Sequence, residues 1–235
     1  MDIAPGIEIV GLGLKIGKTL IIGDLHLGIE EAMNKEGILV PRFQFKDLVK
    51  RLEEMLRNAK PEIVVINGDL KHEFGTISKQ EWNDVLNILD LISAYAKKIV
   101  LVKGNHDAIL GPIARKQRVE ITDSYREGNI LVIHGHKKVA LPKGIEIIII
   151  GHDHPAINLR EGSRAETYKC FLKGKFNKKT LIVMPSLSAV TEGTDVLRYD
   201  LLSPYLHQDL KDFEVFIIAD KAYSFGKIKS IDKKI

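Results

Sequence analysis

The first half of the chain alternates short β-branched runs with amphipathic helical stretches. The strand-like runs are residues 19–22, 62–67 and 99–103, and a glycine directly follows each. Apolar residues three or four apart predict one helix from Pro41 to just before Pro61. A second helix is predicted to begin at Ser78, which stands at capping-box spacing from Glu81. Strand, helix, strand, helix, strand is the pattern of a parallel sheet, so we predict an α/β protein.

From about Ile130 onward the helical patterns become rare and short apolar runs prevail. These runs are residues 130–133, 145–150, 168–176, 180–184 and 215–218. Because turn residues separate them, they predict a second sheet that packs on the first. No repeat, low-complexity tract or flexible linker divides the 235 residues, so we predict one domain over residues 1–235. Its polar motifs fall in residues 23–154, and residues 155–235 supply C-terminal strands and a tail.

Composition limits the classes of protein that this chain can belong to. With 45% hydrophobic and 28% charged residues, the chain has the composition of an ordinary globular protein. The 35 basic and 31 acidic residues give a net charge of only +4, which is no signature of nucleic-acid binding. A single cysteine, Cys170, excludes an internal disulfide and a cysteine-rich zinc site. No apolar run approaches the roughly 20 residues of a membrane helix, and the N-terminus lacks a signal-peptide pattern. We therefore expect a cytoplasmic protein that does not enter a membrane.

Five of the predicted strands end in side chains that can bind metal ions. They are Asp24 with His26, Asp69, Asn105 with His106, His134, and His152 with His154. Loops beyond the carboxyl ends of strands form the ligand crevice of open α/β sheets, so these residues can converge on one place. Residues two apart on an extended backbone point the same way, so Asp-x-His and His-x-His can each offer two ligands to one ion.

Each motif taken alone also has a simpler interpretation. Asp24 and His26 could belong to a capped turn at a strand end. Asp69 and Asn105 could be turn residues with local hydrogen bonds, and His134 could be a core histidine bonded to a carbonyl. The repetition of such residues at successive strand ends favours a metal centre over these alternatives.

The motifs together resemble the signature blocks of the calcineurin-like metallophosphoesterase superfamily. The blocks are Asp24-Leu-His26, Gly68-Asp69, Gly104-Asn105-His106-Asp107, His134-Gly-His136 and Gly151-His152-Asp153-His154. They span residues 23–154, and every block is present in order. The stretches Gly-Asp-Leu-His-Leu-Gly-Ile-Glu-Glu and Gly-Asp-Leu-Lys-His-Glu-Phe also resemble the archaeal and bacterial branch related to DNA ligase-associated phosphoesterases. The resemblance implies a four-layer α/β/β/α sandwich of two mixed sheets flanked by helices.

The resemblance also implies a two-metal site. By motif, one ion is held by Asp24, His26, Asp69 and His154, and the other by Asp69, Asn105, His134 and His152. Asp69 then bridges the two ions. The mixed nitrogen and oxygen ligands suit manganese, nickel, iron or zinc, with manganese first among them, and argue against magnesium and calcium. The family places the ligand at the first histidine of His134-Gly-His136, and His136 remains the alternative.

The implied reaction is hydrolysis of a phosphodiester, or of a phosphomonoester, by in-line attack of a metal-bridged hydroxide. His106 matches the family's non-ligand histidine, which protonates the leaving oxygen or stabilises phosphoryl charge. Asp107 is expected to orient His106. The alternative for His106 is a purely structural role. The candidate substrate contacts are His72, Lys71, Arg42 and Lys137. Each of them could instead be a solvated or supporting side chain.

Two other classes of function compete with this hypothesis. A non-catalytic protein-interaction scaffold occurs on the same fold, but the complete ligand set and His106 disfavour it. A purely structural metal protein is disfavoured because structural zinc sites are closed and four-coordinate. For the substrate, the relatives' link with DNA ligases favours nucleotides or nucleic-acid ends, whereas the lack of an accessory domain favours small or flexible molecules. Whether the chain forms a homo-oligomer is left open by the sequence.

Overall fold

The structure is a computed structural model that describes residues 1–38, 44–74, 77–107, 117–161, 164–198 and 200–231. Within these ranges the strands form two mixed sheets, and helices accompany mainly the first of them. This agrees with the predicted α/β class and with the predicted pair of sheets.

The first sheet contains seven described strands in chain order. They are β1 (Asp2–Ala4), β2 (Ile7–Val10), β3 (Gly13–Ile16), β4 (Thr19–Ile22), β5 (Ile63–Asn67), β6 (Lys98–Val102) and β7 (Glu120–Thr122). Neighbours from β1 to β4 are antiparallel, and neighbours from β4 to β7 are parallel. The parallel sheet predicted from the first half of the sequence is therefore confirmed at β4, β5 and β6. Their residues are buried on both faces, as the unbroken β-branched runs indicate.

The second sheet is built by the second half of the chain. Its strands are β8 (Tyr125–Glu127), β9 (Ile130–Val132), β10 (Ile147–Ile150), β11 (Pro155–Glu161), β12 (Arg164–Phe176), β13 (Lys179–Val183), β14 (Thr194–Asp195), β15 (Glu214–Ile218) and β16 (Ala222–Lys227). β10 lies in its interior and runs parallel to both β9 and β13. The other pairs are antiparallel except for that of β11 with β14.

Two helices, α2 (Gln44–Ala59) and α3 (Lys79–Ser93), pack on the outer face of the first sheet. The short helix α1 (Ile29–Lys35) follows β4 and has no buried residue. The apolar stripe predicted for α2 is buried at Leu48, Leu52 and Leu56, although Pro41 lies outside the described residues. The cap predicted for α3 is confirmed, because the Ser78 side chain accepts a 3.0 Å hydrogen bond from the amide of Glu81.

Three buried apolar clusters follow this layering. One lies between the first sheet and its helices, and one lies between the two sheets, where Ile21 and Val65 face Ile149 and Phe171. The third covers the outer face of the second sheet with the segment 201–213 and the short helix α4 (Ile228–Ile231). In the described ranges this outermost layer is thus mostly irregular chain. No helix in those ranges is long and apolar enough to cross a membrane.

Candidate metal centre

The two sheets bring the carboxyl ends of five strands to one place. The amides of Leu25 and His26, which follow β4, donate to the carbonyl of Asp69, which follows β5. His134, which follows β9 in the other sheet, places its Nδ1 3.1 Å from the carbonyl oxygen of Asn67. All seven metal ligands expected from the sequence lie together at this junction, as the strand-end argument predicts.

One group of potential ligands comprises Asp24, His26 and His154. One ligand atom of each lies within 4.8 Å of the others. The Nε2 atoms of His26 and His154 are 3.3 Å apart, and Nε2 of His154 is 3.4 Å from Oδ1 of Asp24. Two imidazole nitrogens and a carboxylate oxygen that face one another are a donor set that transition-metal ions bind.

A second group comprises Asp69, His134 and His152, with ligand atoms again within 4.8 Å. Nε2 of His134 is 3.3 Å from Oδ2 of Asp69 and 3.1 Å from Oδ1 of Asn105. Its Nδ1 donates to the carbonyl of Asn67, which fixes the ring and turns Nε2 towards the group. Oδ2 of Asp69 also lies 3.8 Å from Nε2 of His26, so Asp69 stands between the two groups.

The backbone of this region is unusually constrained. His26, Asp69, His152 and His154 all have positive φ values, between 45° and 70°, a conformation that is uncommon outside glycine. A Cβ at Gly68 would lie only 2.1 Å from Nδ1 of His134. Such strain clusters at functional sites, where the surrounding structure holds it.

Electrostatics places His26, His152 and Asp24 in the protonation states that metal binding needs. Burial lowers the pKa of His26 to about 3 and that of His152 to about 4, which keeps both rings neutral. Burial opposes the charge on Asp24, but the nearby His154 and His134 outweigh it and hold the pKa of this carboxyl below its usual range. Neutral imidazoles and ionised carboxylates are the metal-binding forms. The residues therefore fit divalent transition-metal ions.

His134 has the opposite shift. Burial disfavours its charged form, but the carboxylates of Asp24 and Asp69 outweigh burial and raise the pKa of His134 to about 9. The two buried carboxylates thus attract positive charge strongly at this point, which is the property that a dication site requires.

His106 lies beside both groups without belonging to either. Its backbone amide donates to Oδ1 of Asp69 over 3.0 Å, and its Nδ1 meets the carbonyl of His72. Its Nε2 is 3.8 Å from Oδ2 of Asp69. His72 itself places Nδ1 3.4 Å from Nδ1 of His26, so a third group of close ring nitrogens contains His26, His72 and His106.

Two candidate residues make contacts other than the expected ones. The Asp107 carboxylate accepts hydrogen bonds from the amides of Leu70 and Gly104 at 3.0 and 2.9 Å. It therefore ties the β5 loop to the β6 loop in place of the expected contact with His106. Lys71 is completely buried and its ammonium donates to the carbonyl of Glu73; its role as a phosphate contact stays a prediction.

The remaining candidates have different positions. His136 is half-buried, with its ring centroid 5.3 Å from that of His134, and it belongs to none of the three groups. Lys137 is exposed next to it. Arg42 lies outside the described residues.

The segment 185–188 supports the site and carries no motif that would reveal it. The amide of Leu187 and the hydroxyl of Ser186 both donate to the carbonyl of Asp24, at 2.9 and 2.8 Å. The ammonium of Lys169 in turn donates to the carbonyl of Ser186 over 2.8 Å and to that of Ser188. The sequence shows only a polar loop after a strand here, because the partners of these groups are far away along the chain.

Comparisons with known proteins agree with this geometry. A sequence profile described as Calcineurin-like phosphoesterase matches residues 17–171, which contain all seven ligand candidates. No curated protein sequence matches the chain.

Among solved structures, the nuclease MPE of Pseudomonas putida is 17% identical over 91% of each chain, with a TM-score of 0.65. The E. coli phosphoesterase YfcE is 14% identical over 84% of this chain and 86% of its own, with a TM-score of 0.40. Wild-type Vps29 of Entamoeba histolytica, solved with zinc, is 18% identical over 86% of each chain, with a TM-score of 0.34. At these identities the likeness to the first structure concerns the fold.

Proposed function

Since the chain belongs to the calcineurin-like phosphoesterase family and is thereby a hydrolase of phosphoester bonds, we propose that it holds two divalent transition-metal ions and cleaves phosphodiesters. The observation that carries this proposal is the pair of ligand groups with Asp69 between them. A carboxylate in that position can bind two cations at once and offset part of their mutual repulsion.

The proposed ligands of the first ion are Asp24, His26, Asp69 and His154. The proposed ligands of the second are Asp69, Asn105, His134 and His152. The division follows the two groups of close ligand atoms, and manganese is the ion that we put first. Bound divalent ions supply Lewis acidity that activates water and stabilises charge on a phosphate.

The chain's own contribution to bond cleavage is proposed at His106. Because its Nδ1 is engaged by the carbonyl of His72, its Nε2 is the nitrogen turned towards Asp69 and the ligand groups. A proton on this Nε2 would be within reach of a leaving oxygen that sits beside Asp69. His106 is thus the proposed general acid, and Asp107 positions it indirectly by holding the backbone of Leu70 and Gly104.

A phosphodiester of nucleotides or of nucleic-acid ends is the proposed substrate class. The fold likeness to a protein named as a nuclease supports it, although that likeness does not by itself carry an activity. The cytoplasmic location stays a prediction. Whether the protein forms a homo-oligomer stays open.

The test is metal reconstitution of the full chain. Metal-stripped protein is refilled with Mn²⁺, Ni²⁺ or Zn²⁺ and assayed with bis-p-nitrophenyl phosphate and with p-nitrophenyl phosphate. We expect up to two ions per chain and faster hydrolysis of the diester. Asp69→Ala should lose both ions, whereas the surface variant Asp212→Ala, whose carboxylate is 72% exposed, should keep them.

Two results would overturn the proposal. Retention of both ions by Asp69→Ala would remove the bridging role. A fully metal-loaded protein with no turnover of either ester would favour the non-catalytic scaffold that the sequence left as an alternative.

A further inference from the structure

Phe74 is a large aromatic side chain that lies exposed directly beside the proposed general acid. The side chain is 65% exposed. Its ring centroid is 3.7 Å from that of His106, with 34° between the ring planes. One part of the phenyl ring therefore covers the imidazole, and the rest faces solvent.

The segment that carries Phe74 is held firmly by buried groups. The Glu81 carboxylate is completely buried and accepts hydrogen bonds from the amides of His72 and Glu73 at 2.9 and 3.0 Å. The buried ammonium of Lys71 donates to the carbonyl of Glu73. Because two buried charged side chains fix the residues just before it, Phe74 is presented at a defined place.

This position separates Phe74 from the other exposed apolar residues of the described chain. Isolated exposed apolar side chains, such as Phe225 at 42% exposure, are normal on protein surfaces and need no function. Phe74 instead covers one face of a group that must meet the leaving oxygen.

We propose that Phe74 is the stacking surface for the nucleobase of the leaving nucleoside when a phosphodiester is cleaved at this site. The inference rests on the proposed function and narrows its substrate class. A leaving oxygen at Nε2 of His106 carries a sugar and then a base, which are long enough to reach a ring 3.7 Å from the imidazole. Base faces are free for stacking only in nucleotides and in unpaired strands. The substrate class is therefore a nucleotide diester or single-stranded nucleic acid.

The test compares bases and variants together. The substrates are short thymidylates with one cleavable phosphodiester, the other linkages being methylphosphonates, with thymine either present or absent on the leaving nucleoside. Stacking of a base on an aromatic side chain contributes about 1–3 kcal/mol, so the wild-type protein should prefer the complete substrate roughly 5- to 150-fold in kcat/KM.

Phe74→Leu keeps an apolar contact with His106 but removes the aromatic face. We expect its preference for the complete substrate to fall close to one. Phe74→Trp should retain the preference, and Phe225→Leu is the control for loss of an exposed aromatic elsewhere. An equal slowing of both substrates by Phe74→Leu would show that Phe74 acts only by packing on His106, and unchanged rates with both substrates would show no role for it.

Binding provides a readout that does not depend on turnover. An oligonucleotide with a single 2-aminopurine should lose fluorescence when it binds metal-loaded wild-type protein, because stacking quenches the base, and should lose much less with Phe74→Leu. Equal quenching by the two proteins, or none, would overturn the stacking role. Absence of hydrolysis of every diester by the loaded wild-type protein would instead overturn the proposed function.

Discussion

Replacing Gly104 with alanine would push a methyl group into the proposed bridging carboxylate. A Cβ at Gly104 would lie 2.0 Å from Oδ1 of Asp69, 2.5 Å from its backbone nitrogen and 2.8 Å from its Cγ. Gly104 is not among the glycines with positive φ. Alanine is therefore compatible with its backbone conformation, and the effect would come from the contact with Asp69.

The size of the effect follows from these distances. Real Cβ atoms essentially never lie closer than 3.0 Å to a non-bonded heavy atom. The Asp69 carboxylate must therefore move away from the new methyl group by about 1 Å. Metal-ligand distances tolerate only about 0.2 Å. A displacement of about 1 Å at a reacting site can lower the rate roughly 10²-fold. Asp69 also accepts the amide of His106 and, through its carbonyl, that of His26, so both ligand groups should be disturbed.

The assay is metal content together with hydrolysis of bis-p-nitrophenyl phosphate after reconstitution with Mn²⁺. We expect Gly104→Ala to bind both ions more weakly and to lose at least about 10²-fold in kcat/KM, with a stability loss of about 1–3 kcal/mol from overpacking. Gly128→Ala is the matched control, because a Cβ there meets nothing within 4 Å although its φ is +60°. It should lower stability by about 1–2 kcal/mol and leave metal binding intact. Two tightly bound ions and normal turnover in Gly104→Ala would refute the reasoning.

Three further substitutions separate the parts of the site. Asn105→Ala should cost one ion per chain, since Asn105 is a proposed ligand of the second ion only; metal analysis that shows loss of both ions, or of neither, would contradict this. His106→Ala should keep its metal but lose about 10²- to 10⁴-fold in turnover of nucleoside or alkyl diesters, and less with nitrophenyl esters, whose leaving group needs little protonation; an equal loss with both kinds of ester would point to charge stabilisation in its place. Lys169→Met removes the donor to the carbonyls of residues 186 and 188 and should weaken metal affinity roughly 10- to 100-fold. Lys173→Met on the same strand is its control, and equal metal affinity in the two variants would contradict the supporting role.

The central strands and the ligand positions were predictable because local and long-range signals agree there. β4, β5 and β6 are apolar runs rich in β-branched residues and largely buried on both faces, and a glycine lies within two residues of the end of each. The carboxyl ends of parallel strands meet at one sheet edge whatever their exact register. The convergence of Asp24, Asp69 and Asn105 therefore needed no knowledge of side-chain geometry.

The peripheral strands β7 and β16 were not predicted because little in their sequences marks them. β7, with the sequence Glu-Ile-Thr, is at most half-buried, and five of the six residues of β16 are exposed. Each is held by hydrogen bonds to a neighbouring strand with more buried residues, β7 by β6 and β16 by β15. Sequence periodicity reports burial, so strands that bury little of their surface leave no periodic signal.

Glu81 shows how a local motif can predict an element correctly and its side chain wrongly. Capping-box spacing from Ser78 implies that the Glu81 carboxylate reaches back to the start of its own helix. The Ser78 half of the motif forms, but the carboxylate turns instead to the amides of His72 and Glu73. These amides lie on the loop that enters the site, where the amide of His72 also donates to the carbonyl of Leu27 over 2.9 Å. One carboxylate oxygen, Oε1, accepts both of these hydrogen bonds. The same helix start thereby fixes the loop that presents His72 and Phe74, a coupling that becomes visible only when the packed partners are known.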